Sequence, residues 1–591
     1  MSEPRGPLRV ARVRSVWKRA DGTKGAHESV LLRQSWRDGA TVKHHTVASL
    51  THLPAEQVAS LEAVLNHGAV ACGVTGTGLG PGLRHGDVAA VWAMASRLGF
   101  EGMLGEPGRM RDIAMALIVA RVCHPASKAA QALWWKDTTL GVDLGLADVT
   151  TDEVYAAMDW LTGRQCEIEN ALAARYLSDR GVNPNMLVMY DLSSTWVEGS
   201  HCELAAYGYS RDKKRGKAQI EFALVTNPDG VPVAVRVFPG NTADPTSFTA
   251  AIQAVTEQFA MGRAVMVGDR GMVTGAKISA MREIEGVEWI GALKHAQIAA
   301  LASDDGPLQL TLFDQEGLAV IDHPDYPGER LIACRNPFAA AHRADKRERL
   351  IKATLQDLDK VSDRVAKGAL RAAKSIGLAV GRVIDKHHVA KLVTVDIQTG
   401  RMAHGRNHAA VAAEAALDGI YVLRTSLTEQ DMATSDVLGS YKHLSRIEQD
   451  FRAIKCAESI QVRPIWHHRA DRVKAHLLIC VLACHLSCHL RRAWAPLTFA
   501  DTEPAGPTSP VRPARRSEQG DTKASTRRNA EDRPVRSFTE LLAHLATMTR
   551  NTVTIHTQAG QIAYEKITDP TQDQATAFKL IGVPIPATLT R

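Results

Sequence analysis

The first fifty residues alternate between apolar and polar positions in short runs, which is typical of β-strands. The runs are LRVARVRSVW, HESVLLRQSW and TVKHHTVASL, and the Gly-containing turns ADGTKG and RDGA separate them. From about residue 85 to 180 the apolar positions recur at helical spacing instead, as in GDVAAVWAMASRLG and TTDEVYAAMDWL. The pattern therefore predicts a small β-meander followed by a helical region.

The helical region allows two interpretations, because several of its helices carry basic residues. These residues are Arg109, Arg111, Arg121 and Lys128. Short helices with Arg and Lys can read DNA, which predicts a DNA-binding region. The same pattern is also typical of a plain helical bundle whose charged side chains are solvated. The sequence leaves both interpretations open.

The pattern changes to α/β after about residue 184. NMLVMYDL is a short apolar run that ends in Asp191, and AQIEFALVTNPDGVPVAVRVF predicts a hairpin of two strands. Asp244 and Pro245 then predict a helix start, AVMVGDRG predicts a strand that ends at Asp269, and VEWIGAL predicts a strand after the next helix. This order predicts the opening of an RNase H-like α/β sheet. Asp191 and Asp269 both fall at predicted strand ends, where such sheets carry their sites.

The rest of the chain is more varied. Between about 295 and 435, strand-like pieces such as ERLIAC and GIYVLRT surround one long charged helix. The apolar run Ala475 to Leu490 is too short for a bilayer span and contains three histidines, so it predicts a buried helix. Residues 501–536 are rich in Pro, Ser, Thr and Arg, which predicts a disordered basic linker.

Together these patterns predict a chain of several segments. The segments are an N-terminal β-meander with a short helix at 1–84, a helical DNA-binding region at 85–183, an RNase H-like core at 184–294 and 436–500, an insertion domain at 295–435, the linker at 501–536 and a C-terminal tail domain at 537–591.

Composition and charge narrow the class of protein. At 591 residues and 64.1 kDa the chain is too long for one core. Its net charge of +7 suits a polyanionic partner, although ordinary surface charge would give the same value. Nine cysteines without paired spacing fit a reducing cytoplasm, and the start MSEPRGPLRV has no apolar signal core. We expect a cytoplasmic protein without a membrane span.

The stretch YKHLSRIEQDFRAIK, from Tyr441 to Lys455, carries the most unusual position in the chain. As a helix, it places Glu448 on the same stripe as Tyr441 and Phe451, where a helix normally keeps an apolar residue. A lone carboxylate there is costly unless a cation meets it. That cation is either a neighbouring Lys or Arg, in a salt bridge, or a metal ion.

Three acids on one sheet would favour the metal. Asp191, Asp269 and Glu448 can converge on one edge of the predicted sheet, where their mutual repulsion requires cations. Hard oxygen ligands select Mg²⁺ or Mn²⁺, and two such ions can support an in-line phosphoryl transfer. The alternative is that each acid is an independent turn or cap residue. Asp396 and Asp418 are rival candidates for the third ligand.

With these residues in place, the sequence resembles bacterial insertion-sequence DDE transposases, specifically the insertion-sequence-four group. The glutamate helix of that group reads Y-x2-R-x3-E-x6-K, which Tyr441, Glu448 and Lys455 match, while Leu444 stands at the arginine position. The resemblance also covers YDLSSTW, AYGYSRDKKRGKAQIEFALV, DGVPVAVRVFPGNTAD, VGDRGM and DGIYVLRT, from about residue 105 to 495.

The resemblance implies a function and a role for each site residue. Asp191, Asp269 and Glu448 would be catalytic and would hold two Mg²⁺ or Mn²⁺ ions. The DNA-binding candidates are Tyr441, Lys455, Arg270, Arg211, Lys213 and Lys214. The reaction would be strand cleavage and strand transfer at the terminal inverted repeats of the element, by a homodimer on double-stranded DNA that also binds target DNA. A catalytically inactive DNA-binding protein derived from a transposase is the alternative, and Leu444 weakly favours it.

Overall fold

The computed structural model describes most of residues 7–589. It leaves out residues 19–23, 40, 68–73, 179–184, 209–213, 215, 228–230, 243–251, 253, 255, 260–262, 269, 271–272, 304–305, 309–312, 314–316, 443–459, 502–515 and 558–559. For residues 185–192, which lie in a strand, only the backbone is described.

The described strands fall into four sheets. They are β1 (Leu8–Lys18), β2 (Lys24–Asp38), β3 (Thr41–Ser49), β4 (Val74–Arg84), β5 (Asn185–Trp196), β6 (Gln219–Thr226), β7 (Pro232–Pro239), β8 (Arg263–Val267), β9 (Val287–Ala292), β10 (Leu318–Ile321), β11 (Arg330–Arg335), β12 (Val393–Gln398), β13 (Arg401–Arg406), β14 (Ile420–Thr425), β15 (Thr549–Thr557) and β16 (Gly560–Ile567).

The described α-helices are numbered here in chain order. They are α1 (Ala55–His67), α2 (Gly86–Arg97), α3 (Phe100–Leu104), α4 (Arg109–Cys123), α5 (Lys128–Trp135), α6 (Thr139–Asp143), α7 (Thr151–Gly163), α8 (Gln165–Ser178), α9 (Gly275–Arg282), α10 (His295–Leu301), α11 (Pro337–Ala366), α12 (Ala373–His387), α13 (His408–Ala415), α14 (Ala470–Ala493), α15 (Glu518–Thr526), α16 (Phe538–Leu545) and α17 (Gln572–Leu580). Residues 434–442 are also helical.

The central sheet has eight strands in the order β10-β11-β14-β9-β8-β5-β6-β7. Strands β5, β6 and β7 form an antiparallel meander. Strand β8 runs parallel to β5, and β9 runs parallel to β8. These five strands have the order and directions of an RNase H-like sheet, in agreement with the sequence prediction. Every residue of β6 is buried, including the polar Gln219, Glu221 and Thr226, so both faces of this strand are covered.

The segment predicted as an insertion domain extends this sheet at its β9 edge. Strand β14 pairs antiparallel with β9, β11 with β14, and β10 with β11. The apolar runs in ERLIAC and GIYVLRT therefore become β11 and β14, which cover an edge that would otherwise expose unpaired backbone groups. A second part of the segment has its own small sheet and core: the hairpin β12–β13 packs with α11 and α12.

Helix α14 lies at the centre of the helical layer. It packs against α4, α7 and strand β7, and its apolar residues belong to the same core as those of β6 to β9. It is long and apolar enough to cross a membrane by length and composition, but 83% of its most apolar window is buried inside the fold. That burial is typical of a core helix, which is what the run Ala475 to Leu490 predicted.

The two ends of the chain meet. Strands β1, β2 and β3 form the predicted antiparallel meander. Strand β15 pairs with both β16 and β4, so the tail contributes two strands to a sheet that the N-terminal part begins. The side chains of Ile555 and Ile562 pack in one core with Leu32 and Leu61.

The predicted disordered linker at 501–536 is wrong for its described part, residues 516–536. This part contains α15, whose Lys523 is fully buried although it is charged. The Nζ atom of Lys523 donates hydrogen bonds to the carbonyls of Ala495 and Ala500, both at 2.9 Å. The sequence lacks large apolar residues here because these polar contacts, rather than an apolar face, anchor the helix.

Candidate functional site

Asp191 lies inside β5, not at its end as the sequence predicted. It is paired with Leu224 of β6, and the pairing continues to Trp196, opposite Gln219. The antiparallel ladder with β6 keeps the chain extended beyond the acid, which an apolar run alone cannot reveal. The parallel partner of β5 is shorter, since β8 ends at Val267.

The register between β5 and β8 relates two of the predicted acids. Met189 is paired with Val267 in the parallel ladder. Asp191 follows Met189 by two residues, and Asp269 follows Val267 by two residues in the sequence. Asp269 itself lies outside the described residues. The backbone of Gly268 still donates to Ile290 of β9, at 3.0 Å, so the sheet continues to the residue before Asp269.

Glu448, Leu444 and Lys455 lie outside the described residues, but the chain on both sides of them is described. On the entry side, Tyr441 is half-buried and packs against the main core. On the exit side, the amide of Ile465 donates to the carbonyl of Trp196 at 3.0 Å, and the amide of Glu198 donates to Ile465 at 2.9 Å. The segment that follows the gap therefore runs beside the end of β5, which is the strand that holds Asp191.

The two rival acids are placed differently. Asp396 is exposed on β12, in the separate hairpin. Asp418 accepts two hydrogen bonds from the guanidinium of Arg347, at 2.9 and 2.6 Å, and both side chains are largely buried. An ordinary salt bridge therefore accounts for Asp418.

A basic cluster surrounds Trp196 at the end of β5. The Nζ atom of Lys214 lies over the Trp196 ring at 5.1 Å from its centroid, and the Cζ atom of Arg463 lies over the same ring at 5.3 Å. Cations over an indole face are attracted by its quadrupole. Lys214 was among the predicted DNA-binding residues. Arg463 was missed, and the only signal for it was its position in the basic segment that follows the glutamate helix.

The neighbouring acid Glu198 is neutralised within this cluster. Its carboxylate accepts hydrogen bonds from Lys217, at 2.6 Å, and from the indole of Trp196, at 3.2 Å. The hydrogen bond from Lys217 is the main reason why the pKa of Glu198 is lowered from its ordinary value. Glu198 is therefore paired with Lys217, while Lys214 and Arg463 lie over the neighbouring Trp196 ring.

The other predicted DNA-binding residues have varied positions. Arg270 is described and is half-buried, and Tyr441 packs against the core. Arg211, Lys213 and Lys455 lie outside the described residues.

The basic residues of the helical region fit the packed-bundle interpretation. Arg121 and Lys128 are 2% and 5% exposed. Arg109 is ion-paired with Asp148 and Glu153, and Arg111 is ion-paired with its neighbour Asp112. Two of these side chains are thus buried and the other two are ion-paired, so none of the four is an unpaired cation on an exposed helix face.

Within the described part of the chain, no group of three or more His, Cys, Asp or Glu side chains is arranged to hold a metal ion. The side chains of Asp191, Asp269 and Glu448 lie outside the described part of the chain. As a donor set, three carboxylates suit a hard divalent cation.

Comparisons with known proteins bear on this geometry. Residues 192–484 match the family model described as the transposase DDE domain, and residues 18–73 match the N-terminal domain of IS1634 family transposases. No curated protein matches the chain. One solved structure, a piggyBac transposase synaptic complex with hairpin DNA, overlaps 78% of this chain and 76% of its own, with 7% identity and a TM-score of 0.31. That overlap is too loose to establish a common fold.

The DDE match begins one residue after Asp191, includes positions 269 and 448, and ends inside α14. It therefore spans the RNase H-like strands, the segment that extends their sheet, and most of the core helix. The two family matches support a transposase of the DDE class. More particularly, the N-terminal match supports an insertion-sequence transposase.

Proposed function

We propose that this protein cleaves DNA at the terminal inverted repeats of its own insertion sequence and joins the ends to target DNA. Asp191, Asp269 and Glu448 are its catalytic carboxylates. The observation that carries the proposal is the parallel pairing of Met189 with Val267, because an acid follows each of these residues by the same two positions. The two strands are parallel neighbours, and in the sequence an acid stands two positions after each member of the same residue pair. This arrangement suits a site that both acids share.

The exit of the 443–459 segment supports the third acid. Its first described residues are hydrogen-bonded to the end of β5, so a helix that carries Glu448 has a short return path to the strand of Asp191. Asp418 is engaged by Arg347 and Asp396 is exposed in a separate hairpin, which leaves Glu448 as the better third ligand.

These three residues would hold two Mg²⁺ or Mn²⁺ ions. Bound there, the ions would activate the attacking oxygen and stabilise the leaving oxygen of an in-line phosphoryl transfer. The protein's own contribution would be the hydrogen-bonded pairing of β5 with β8, which would hold the two carboxylates near each other. Lys214 and Arg463, beside Trp196, would hold the phosphate backbone of the cleaved strand.

The finer assignment is to the insertion-sequence-four group. Tyr441, Glu448 and Lys455 keep that group's spacing, and Tyr441 and Lys455 would bind phosphates of the element's end. Arg270, and the basic loop with Arg211 and Lys213, would add further phosphate contacts. The protein would act as a homodimer on DNA in the bacterial cytoplasm, because transposition joins two ends.

The test is cleavage of a duplex that carries the inverted repeat flanking the gene, with Mg²⁺ and with EDTA. Asp191→Asn, Asp269→Asn and Glu448→Gln should each lower the cleavage rate by about a thousandfold or more while DNA binding is retained. Asp396→Asn is the matched control and should cleave normally. Normal cleavage by any of the three acid variants would reject that residue's role.

The same assay separates the alternatives. A protein that binds the repeat but never cuts it would be the catalytically inactive DNA-binding protein. A protein that cuts the repeat, yet whose 3′ hydroxyl product never attacks a second duplex, would be a metal-dependent nuclease.

A further inference from the structure

A cavity of about 470 Å³ opens between the helical region and the segment that follows the 443–459 gap. One wall is formed by the start of α5 with Lys128, and by Arg121 of α4. The opposite wall includes Arg463 and His467, and Trp466 stands at the rim with 64% of its surface exposed. The cavity thus brings together basic side chains from two distant parts of the sequence.

Two of these basic side chains are buried without a balancing acid among the residues that the structure describes. Lys128 is 5% exposed, and its Nζ atom has no hydrogen-bond partner among the described residues. Arg121 is 2% exposed, and its Nε atom also lacks a hydrogen-bond partner there, while its Nη2 atom reaches only Gln131, at 3.4 Å. Burial and the charge of Arg121 lower the pKa of Lys128 well below its ordinary value, and an anion bound beside the two side chains would favour the charged amine again.

The described side chains that line the cavity add no negative charge. Burial and the nearby charges of Lys128 and Arg121 lower the pKa values of His467 and His476. The one acidic group that acts on Lys128 and Arg121 in the described structure is the Cys480 thiol, and burial raises the pKa of that thiol. The thiol is therefore protonated at neutral pH and cannot neutralise the two cations.

The cavity also has a direct connection to the end of β5. Arg463 lines the cavity and at the same time lies over Trp196, which ends the strand of Asp191. The start of α5 adds backbone amides, because Ser127 is its N-cap and the cavity wall includes Ser127 and Ala129. Helix N-termini with free amides favour phosphate groups.

We propose that this cavity is a phosphate-binding pocket that holds one backbone phosphate of the bound DNA, with Lys128 and Arg121 as its counter-ions and Trp466 stacked on the adjacent nucleotide. The choice of DNA rests on the proposed function and on the path from the cavity to the end of β5. The pocket would anchor the strand next to the cleavage site rather than take part in the chemistry.

Thermal unfolding in inorganic phosphate, against sodium chloride of equal ionic strength, tests the pocket without DNA. Phosphate should raise the midpoint of the wild-type protein by about 2 °C or more, because a ligand that binds only the folded state stabilises it. Lys128→Met, which keeps the apolar stem, should lose this response. Lys136→Met removes an exposed lysine just after the same helix and should keep it.

Binding to the inverted-repeat duplex tests the source of the phosphate. Lys128→Met should weaken binding about tenfold, and Lys136→Met by less than about twofold. Trp466→Ala should weaken DNA binding while the phosphate response stays, because its exposed ring only adds stacking. If Lys128→Met does not fold, the Trp466→Ala result decides: unchanged DNA binding would overturn the proposal.

The remaining outcomes are also decisive. A phosphate response without any loss of DNA affinity in Lys128→Met would mean a free small anion, and would overturn the assignment to DNA. Equal behaviour of wild type and Lys128→Met in both assays would mean that Lys128 is a neutral structural lysine. If the wild-type protein binds DNA through this pocket but never cleaves it, the proposed transposase activity fails and the pocket stands.

Discussion

The guanidinium of Arg463 lies over the indole ring of Trp196, with 5.3 Å between its Cζ atom and the ring centroid. This contact joins the segment that follows the 443–459 gap to the end of the strand that carries Asp191. Lys214 lies over the same ring, at 5.1 Å. The aromatic ring thus holds two cations at the place where a DNA strand would pass the proposed active site.

Lys214→Gln should weaken DNA binding and reduce its salt dependence. An exposed lysine that neutralises one phosphate contributes about 0.9 to the slope of log affinity against log salt. The slope is measured by fluorescence anisotropy with a labelled duplex at salt concentrations from about 50 to 300 mM. Contacts between basic side chains and phosphates weaken strongly over this range. Lys579→Gln, an equally exposed lysine on α17, is the control and should keep the wild-type slope. An unchanged slope for Lys214→Gln would mean that Lys214 does not meet DNA.

Leu444→Arg should strengthen binding to the element's end. Arginine presents a planar fork that binds a phosphate through two hydrogen bonds, whereas leucine makes no such contact. The measurements are the affinity of the variant for DNA of the element's end and its thermal stability. Higher affinity at unchanged stability supports a position that faces DNA. A folded variant without a gain in affinity would mean that the position does not face DNA, and an unfolded one would mean that Leu444 packs in the core.

Arg424→Met should destabilise the fold by about 3 kcal/mol, because the buried carboxylate of Glu329 then keeps only the longer hydrogen bonds from Arg282, at 3.4 Å, and from the indole of Trp289, at 3.5 Å. The two side chains form two hydrogen bonds of 2.6 Å and are 9% and 2% exposed. Arg424 lies on β14 opposite Gly291 of β9, so the loss should loosen the sheet at that edge. The measurement is urea unfolding.

A matched control exists for this pair. Arg406 and Glu348 form a similar two-hydrogen-bond pair, at 2.7 Å each, but the side chains are 31% and 51% exposed. Arg406→Met should therefore cost about 1 kcal/mol or less. Equal losses for the two variants would contradict the burial argument for Glu329.

Stability should fall as the pH drops below about 6.5, and His467 should contribute to the fall. Burial, with the charges of Lys128 and Arg121, lowers the pKa of His467 to about 3. Between about 6.5 and 3 the unfolded chain binds a proton that the folded ring does not, so this contribution to stability is complete above about 6.5 and is lost below it.

His467→Phe should consequently lose less stability than wild type between pH 7.5 and 5, roughly the upper part of that window. Urea unfolding at the two pH values measures the difference. The dependence of stability on pH should become weaker in the variant without disappearing, since the pKa of His476 is also lowered. Identical pH slopes for the two proteins would show that His467 is protonated equally in the folded and unfolded states.

Local patterns predicted much of the fold. The meander of β1 to β3, the hairpin of β6 and β7, and the buried helix α14 all follow from periodicity and turn residues, which act over a few positions. The order of strands around Asp191 likewise predicted an RNase H-like sheet, because the chirality and connection rules leave few arrangements for it.

Non-local pairing decided the rest. The extension of β5 beyond Asp191 depends on its ladder with β6, and the placement of β14 beside β9 depends on an edge that no local pattern marks. The burial of Lys523, Lys128 and Arg121 is also a tertiary outcome. From a single sequence, a charged residue is predicted to lie on the surface. The partners or neighbours that allow it to be buried lie far away in the chain and cannot be recognised from local patterns. The sequence by itself therefore determined many of the local elements and which acids are candidates for catalysis, whereas the tertiary structure decided that α15 forms and which cations surround the end of β5.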